Sequence, residues 1–293
     1  MTAPANPPVI IGVDGGPSAD DALALGQWAA RTLGSPLVVT AVHPAPSALG
    51  SGRVDAEWVA DRHRAAEEVL DQARVALGED AGEATYRIVA SSSAAHGLHD
   101  LAEELAAEAI VVGSGWAGPQ HRLFAGSTAE RLLAGSVCPV GVAPAAMETP
   151  PGTVGRIGVA YVDTPDGRAA LAMAARLAAR VGSPLRIYTV VSEVDAPLPF
   201  LVGRDAEHAF LETARETYEL SLRRAAESVG ACDADWVILT GDVVESLSEV
   251  TEVDVLFCGS RGYGPARRVL LGGVSARLVR QARRPVVVVP RTG

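Results

Sequence analysis

The chain is a tandem repeat, so any fold must accommodate two copies of one pattern. Gly113 and Gly259 each follow a short apolar run, and Gly126 and Gly272 follow them at equal distances, so both pairs are 146 residues apart. The tetrapeptide Gly-Ser-Pro-Leu at 34–37 recurs at 182–185, an offset of 148. A register held at several places indicates duplication of a domain. We predict a disordered tail at 1–8, domains at 9–144 and 156–293, and a linker at 145–155 that is rich in Pro and Gly.

Each half alternates short apolar runs with stretches of helical period. Five apolar runs per half predict strands at 9–13, 37–42, 85–90, 110–112 and 140–143, and at 157–162, 185–191, 236–240, 254–258 and 286–289. The intervening stretches predict helices at 22–33, 56–77, 99–107 and 127–134, and at 168–181, 205–229, 243–249 and 273–282. Apolar strands separated by helices predict an α/β, Rossmann-like fold with a parallel sheet covered on both faces. Ligands of such sheets bind beyond the carboxyl ends of the strands.

Composition excludes several classes of function. The formal net charge of −10 makes nucleic acid and anionic membranes poor partners, and aromatic residues make up only 4% of the chain. All 25 basic residues are Arg, which excludes a Schiff-base lysine and the lysine of a Walker-type phosphate loop. Three dispersed Cys, no apolar stretch of membrane-spanning length and no signal peptide predict a soluble, cytoplasmic protein.

The strongest candidate site follows the fourth apolar run of the second half. The segment reads Gly259-x2-Gly262-x9-Gly272 and continues with Gly273, Val274 and Ser275 at a predicted helix start. Glycines let the backbone approach a ligand, and the free N–H groups of a helix start favour a phosphate. Arg261 adds positive charge between the glycines. The pattern predicts a pocket for a triphosphate, although glycines after a buried strand also serve as simple turns.

These motifs resemble those of the universal stress protein family over nearly the whole chain. The resemblance rests on the two halves, the early Asp14-Gly-Gly-Pro-Ser segment, the late glycine segment and the terminal Pro-Val-x-Val strands. It implies a fold of the adenine nucleotide alpha hydrolase type, with five parallel strands per domain. A subset of the family binds ATP through Gly-x2-Gly-x9-Gly followed by Ser or Thr. Family members pair through their last strands, which implies an internal pseudo-dimer here and leaves a further homodimer open.

Each half departs from the family motif in its own way. In the first half the matching residues are Asp14, Gly113, Gly126, Ser127 and Thr128, but Trp116 stands where the second glycine is expected. In the second half all three glycines match, but Gly273 replaces the hydroxyl residue. Asp163 matches the early Asp only if its loop is one residue shorter than the loop of the first half. We favour the second half as the nucleotide site and leave open an empty or modified first site.

The resemblance implies a regulatory protein rather than an enzyme. We expect a stress-response protein that binds ATP, with or without Mg, and acts through nucleotide-dependent contacts with an unknown regulatory protein, without substantial turnover. Two alternatives stay open: a member that binds no nucleotide and acts by protein contacts alone, and a slow ATPase or adenylating enzyme. His96 and His99 lie near Asp100 and Glu103 at metal-pair spacing, but we interpret them as a solvated helix start and predict no metal site or catalytic residue.

Overall fold

The computed structural model describes residues 6–45, 54–78, 84–114, 128–145, 147, 155–191, 204–230, 232–260 and 273–290. The chain divides into two units, residues 1–152 and 153–293. The first unit contains β1 (Val9–Val13), α1 (Ala19–Leu33), β2 (Leu37–Pro44), α2 (Val54–Leu77), β3 (Thr85–Ser91), α3 (Ala94–Leu105), β4 (Ala109–Gly113), α4 (Thr128–Leu133) and β5 (Val140–Ala143). The second contains β6 (Ile157–Ala160), α5 (Pro165–Val181), β7 (Leu185–Val191), α6 (Arg204–Ser228), β8 (Ala234–Thr240), α7 (Val243–Ser248), β9 (Val255–Gly259), α8 (Val274–Gln281) and β10 (Val286–Val289).

Both units form five-stranded parallel sheets with the same strand order. In the first unit the order is β3-β2-β1-β4-β5, and in the second it is β8-β7-β6-β9-β10. Val9 pairs with Leu37 on one side, and Ile157 makes the same pairing with Leu185 in the second unit. The strand order reverses beside β1 and beside β6, because each lies between the second and fourth strands of its unit. The predicted α/β fold with parallel sheets is confirmed.

Helices cover both faces of the first sheet. Ile11 and Val39 point into a core cluster that includes Leu25 from α1 and Leu70 from α2. On the opposite face, α3 packs so closely that a Cβ built on Gly12 would lie 2.6 Å from the Leu98 side chain. Burial of apolar surface on both faces explains why these strands are apolar throughout. None of the helices in the part of the chain that the structure describes combines the length and apolar character needed to span a bilayer.

The structure corrects several predicted helix starts. Helix α3 begins at Ala94 rather than at 99, because the Ser93 hydroxyl accepts a hydrogen bond from the His96 N–H at 3.2 Å. Helix α5 begins at Pro165 rather than at 168, since the Thr164 hydroxyl caps it by accepting from the Gly167 N–H at 3.1 Å. In both cases the capping hydroxyl lies several residues before the first strongly periodic residues.

Candidate functional site

The carboxyl end of β4 lies directly against the start of α1. A Cβ built on Gly113 would lie 2.5 Å from the Ser18 Oγ and 2.6 Å from the Ser18 carbonyl oxygen. The same Oγ donates a hydrogen bond to the Ser114 carbonyl at 2.7 Å. The Ser114 N–H in turn donates to the Ala143 carbonyl at 2.7 Å, which fixes where the loop leaves the sheet. Only glycine fits at position 113 while this packing is kept.

The second unit repeats this arrangement with different side chains. A Cβ built on Gly259 would lie 2.7 Å from both the carbonyl carbon and the carbonyl oxygen of Asp166 in the first turn of α5. The Ser260 N–H donates to the Val289 carbonyl at 2.9 Å, as Ser114 does in the first unit. The first glycine of each motif is therefore required by packing of strand against helix, whatever the loop beyond it binds.

Asp14 lies exposed at the tip of β1, within a tight turn. Its Oδ1 accepts a hydrogen bond from the Gly16 N–H at 2.9 Å. Gly15 has a φ of +72°, a conformation that glycine adopts without strain. The turn places one carboxylate where β1 leaves the sheet, beside the point at which the strand order reverses.

Asp163 does not occupy the position of Asp14. The loops after β1 and β6 have equal length up to Ser18 and Asp166, the residues that pack on the two glycines. The counterpart of Asp14 is therefore Val162, whose side chain is 41% exposed. The loop between strand and helix is nevertheless one residue shorter in the second unit, 161–164 against 14–18, so a role for Asp163 at the site stays a prediction.

The Asp163 carboxylate interacts with two residues close to it in the chain. It pairs with the Arg168 guanidinium and accepts a hydrogen bond from the Tyr161 hydroxyl at 3.3 Å. Burial of the phenol and the nearby Asp163 charge raise the pKa of Tyr161. The sequence contains the Asp but does not reveal these partners, because the start of α5 at Pro165 is what brings Arg168 back toward residue 163.

Helix α8 begins without a side-chain cap among the residues that the structure describes. Gly273 is its N-cap, with extended backbone at φ −60° and ψ 158°, and its carbonyl accepts from the Arg277 N–H at 3.1 Å. Among the described residues beyond its chain neighbours, no atom lies within 4 Å of a Cβ built on Gly273. Val274 and Ser275 form the first turn and are half-buried. An uncapped first turn presents backbone N–H groups and the positive end of the helix dipole, which together favour an anion.

The structure places only part of the predicted site. Thr128 opens α4 and is half-buried. Five predicted site residues lie outside the described part of the chain: Gly126, Ser127, Arg261, Gly262 and Gly272. Among the described residues, Gly113, Gly259 and Gly273 lie at carboxyl strand ends or at a helix start, as the sequence predicts. The sequence does not predict that Ser18 packs against Gly113. Its position just before the start of α1 is the one local signal that could have suggested this contact.

The histidine cluster on α3 lies at the surface, with His99 half-buried and His96, Asp100 and Glu103 exposed. Ligand atoms of His99, Asp100 and Glu103 all lie within 4.8 Å of one another. The His96 Nε2 lies 3.4 Å from the Asp100 Oδ2, and the His99 Nε2 lies 3.7 Å from the Glu103 Oε1. Each pair is spaced i,i+4 along the helix. Such contacts are ordinary on exposed helix faces and contribute little energy.

Comparison with known proteins identifies the family. A model of the universal stress protein family matches residues 6–144 and 153–290. Universal stress proteins of Mycobacterium tuberculosis and Mycobacterium bovis are each 30% identical over 292 residues, covering 96% of this chain and 99% of the relative. A solved universal stress protein from Archaeoglobus fulgidus has the same fold, with a TM-score of 0.71 at 21% identity, covering 97% of this chain and 96% of its own. The resemblance seen in the sequence is confirmed, and the chain belongs to the universal stress protein family.

Proposed function

We propose that this chain binds an adenine nucleotide at the first turn of α8 and acts as a stress-response regulator through nucleotide-dependent protein contacts. The observation that carries the proposal is the start of α8, which no described side chain caps and which follows the glycine segment of the second half. Gly273, Val274 and Ser275 supply backbone N–H groups to the phosphates, with Arg261, Gly262 and Gly272 completing the loop. The preferred ligand is ATP, with or without Mg.

Adenine as the base is proposed from the resemblance of the glycine segment to the ATP-binding motif of the family. One universal stress protein from Archaeoglobus fulgidus has been solved in complex with dAMP, and another universal stress protein in complex with cAMP. For this chain the choice rests on its own residues Gly259, Gly262 and Gly272 at the motif spacing.

The two units differ at the tip of the central strand. The first unit carries the carboxylate of Asp14 there, whereas the second carries the apolar Val162. Two acidic residues follow in the second unit: Asp163 is paired with Arg168, and Asp166 is buried against Gly259. The preference for the second unit therefore rests on its three motif glycines, Gly259, Gly262 and Gly272.

We propose binding without substantial turnover, because the resemblance to the family implies a regulatory protein and the chain lacks one group that commonly assists phosphoryl transfer. It contains no Lys, so a lysine cannot neutralise charge on a leaving phosphate. In a regulator of this kind the surface changes when the ligand binds, and a partner protein binds one form of that surface more tightly.

One observation favours a second candidate, a member that works by protein contacts and binds no nucleotide. Gly113 and Gly259 are both explained by packing against Ser18 and Asp166, so the first glycine of each motif needs no ligand. Replacement of the family hydroxyl by Gly273 removes one hydrogen bond to a phosphate, a loss of about 1 kcal/mol. Trp116 departs from the motif in the first half.

Substitutions at Gly273 separate these two functions, since a Cβ there meets none of the described atoms beyond its chain neighbours within 4 Å. Gly273→Ser restores the family hydroxyl, and we expect it to bind Mg-ATP about fivefold more tightly than the wild type. Gly273→Asp caps the helix with a carboxylate, and we expect at least tenfold weaker binding with equal or slightly greater stability. Gly273→Asn, a neutral side chain of similar size, is expected to bind with intermediate affinity.

Isothermal titration calorimetry with Mg-ATP measures the series, with thermal melts to show that each variant is folded. Gly135→Asp in the first unit adds the same charge at a glycine outside the motif, where a Cβ meets no described atom within 4 Å, and controls for net charge. Loss of binding in Gly273→Asp but not in Gly135→Asp supports the nucleotide site. Absence of heat in the wild type and in Gly273→Ser establishes the nucleotide-free alternative.

A further inference from the structure

Two histidines from different elements of the first unit meet outside the proposed nucleotide site. His43 is the next-to-last residue of β2, and its side chain is 7% exposed. His63 lies on α2, and its side chain is 49% exposed. The His43 Nε2 and the His63 Nδ1 are 3.3 Å apart, and the ring planes cross at 87°, so the rings are not stacked.

The distal nitrogen of each ring faces an oxygen that can accept a hydrogen bond. The His43 Nδ1 lies 3.0 Å from the Pro44 carbonyl oxygen. A carbonyl only accepts, so this nitrogen carries the proton and the His43 Nε2 keeps a bare lone pair toward His63. On the other ring, the His63 Nε2 lies 3.7 Å from the Glu67 Oε1. Metal-binding histidines show this arrangement, with the outer ring nitrogen facing a carbonyl or a carboxylate.

The distance between the two inner nitrogens fits a shared metal ion. Two nitrogens that each bind zinc at about 2.0–2.1 Å in tetrahedral geometry are about 3.3 Å apart. The same distance also fits a hydrogen bond from the His63 Nδ1–H to the His43 Nε2. The two states interconvert without net loss of a proton, because neutral His63 can carry its proton on Nε2, toward Glu67, when its Nδ1 binds the metal.

We propose that His43 and His63 are the protein ligands of a divalent transition metal ion, with zinc as the reference ion and water in the other positions. Neutral imidazole nitrogens suit zinc, copper and nickel and do not suit magnesium. The half-exposed His63 provides access from solvent, and the net charge of −10 attracts cations. The ion would tie α2 to the end of β2.

Zinc titration of the full chain, freed of metal by chelation, tests the proposal by calorimetry and by thermal melts. We expect one zinc ion per chain at this site and a rise in melting temperature on adding zinc. His63→Gln keeps a polar side chain at an exposed position and is expected to weaken zinc binding at least tenfold and to abolish the rise. His43→Gln is expected to do the same, and magnesium to have no effect.

His96→Gln is the matched control, because His96 is also exposed and also faces a carboxylate four residues along its helix. We expect it to bind zinc as the wild type does, and His99→Gln as well. Zinc binding that survives in His63→Gln, or that is lost in His99→Gln instead, would overturn the proposal. So would a wild type that takes up no zinc at 100-fold molar excess. Zinc-dependent shifts of the His43 and His63 ring signals in NMR spectra would support it.

Discussion

Single glycines show most clearly how local packing and function overlap in this protein. Gly259 has no room for a Cβ, because Asp166 backbone atoms lie 2.7 Å from where it would stand. We expect Gly259→Ala to lower the free energy of unfolding by about 1–3 kcal/mol, since backbone must move to admit the methyl group. Urea denaturation measures the change.

Gly135→Ala is the control for this prediction, because a Cβ at Gly135 meets no atom within 4 Å. We expect its stability to stay within about 0.5 kcal/mol of the wild type. Equal stabilities for Gly259→Ala and Gly135→Ala would show that the contact with α5 does not require glycine.

The types of residue at the candidate site are easier to predict from the sequence than the contacts that these residues make. The glycine spacing and the helix start at Gly273 are evident from the sequence, because turns and helix starts have strong residue preferences. The mismatch between Asp14 and Asp163 is not, since it depends on the register of β6 against β7 and on the cap at Thr164. The contact between His43 and His63 joins residues 20 apart on a strand and a helix, and no local pattern signals it.

At the scale of single elements, α7 offers a test of capping. The Asp242 Oδ1 accepts hydrogen bonds from the Glu245 N–H at 3.0 Å and from the Val244 N–H at 2.9 Å. These bonds, with the Glu245 N–H the larger cause, lower the pKa of Asp242 below its ordinary value. The stabilisation is therefore present above the ordinary carboxyl pKa near 3.8 and is lost as pH falls through the lower folded value.

We expect Asp242→Ala to be less stable than the wild type at pH 7, with the difference shrinking as pH falls below 4. Urea denaturation at several pH values between 7 and 3 measures it. Asp242→Asn keeps an acceptor without the charge, so it should retain part of the cap and show no such pH dependence. A penalty for Asp242→Ala that does not change with pH would contradict the assignment.

Helices and strands are predictable where periodicity is strong and less so where a polar cap sets the boundary. The apolar runs at 9–13, 140–143, 185–191 and 286–289 coincide with β1, β5, β7 and β10. Helices α3 and α5 begin earlier than predicted, because Ser93 and Thr164 satisfy N–H groups that the periodicity does not register. A local hydrogen bond thus decides where each helix begins.

At the scale of the whole molecule, duplication makes the architecture predictable. Two copies of one pattern show the same alternation independently, and both predict a five-stranded parallel sheet. The order of the strands does not follow from that alternation, because it depends on contacts between residues far apart in the chain. The strand order β3-β2-β1-β4-β5 is a property of the folded domain that the structure supplies.

The three cysteines lie in both units and differ in burial, so their reactivity tests the packing of each unit. Cys138 and Cys258 are buried, and burial raises the pKa of Cys138 to about 11 and that of Cys258 to about 12. Cys232 is partly exposed, and its pKa is raised by partial burial and by the charge of Asp233. We expect a thiol reagent at pH 8 to modify only Cys232 in the native protein, and all three after unfolding. Rapid modification of two or more native thiols would contradict the burial described.

The nucleotide claim is tested most directly by native mass spectrometry of the full chain equilibrated with Mg-ATP. We predict one bound nucleotide per wild-type chain at saturation and, with ATP near the wild-type Kd, an occupied fraction that is strongly reduced in Gly273→Asp and retained in Gly135→Asp. A wild-type chain that carries no nucleotide at saturating concentration, or a Gly273→Asp chain that is as occupied as the wild type near the wild-type Kd, would contradict the proposed site.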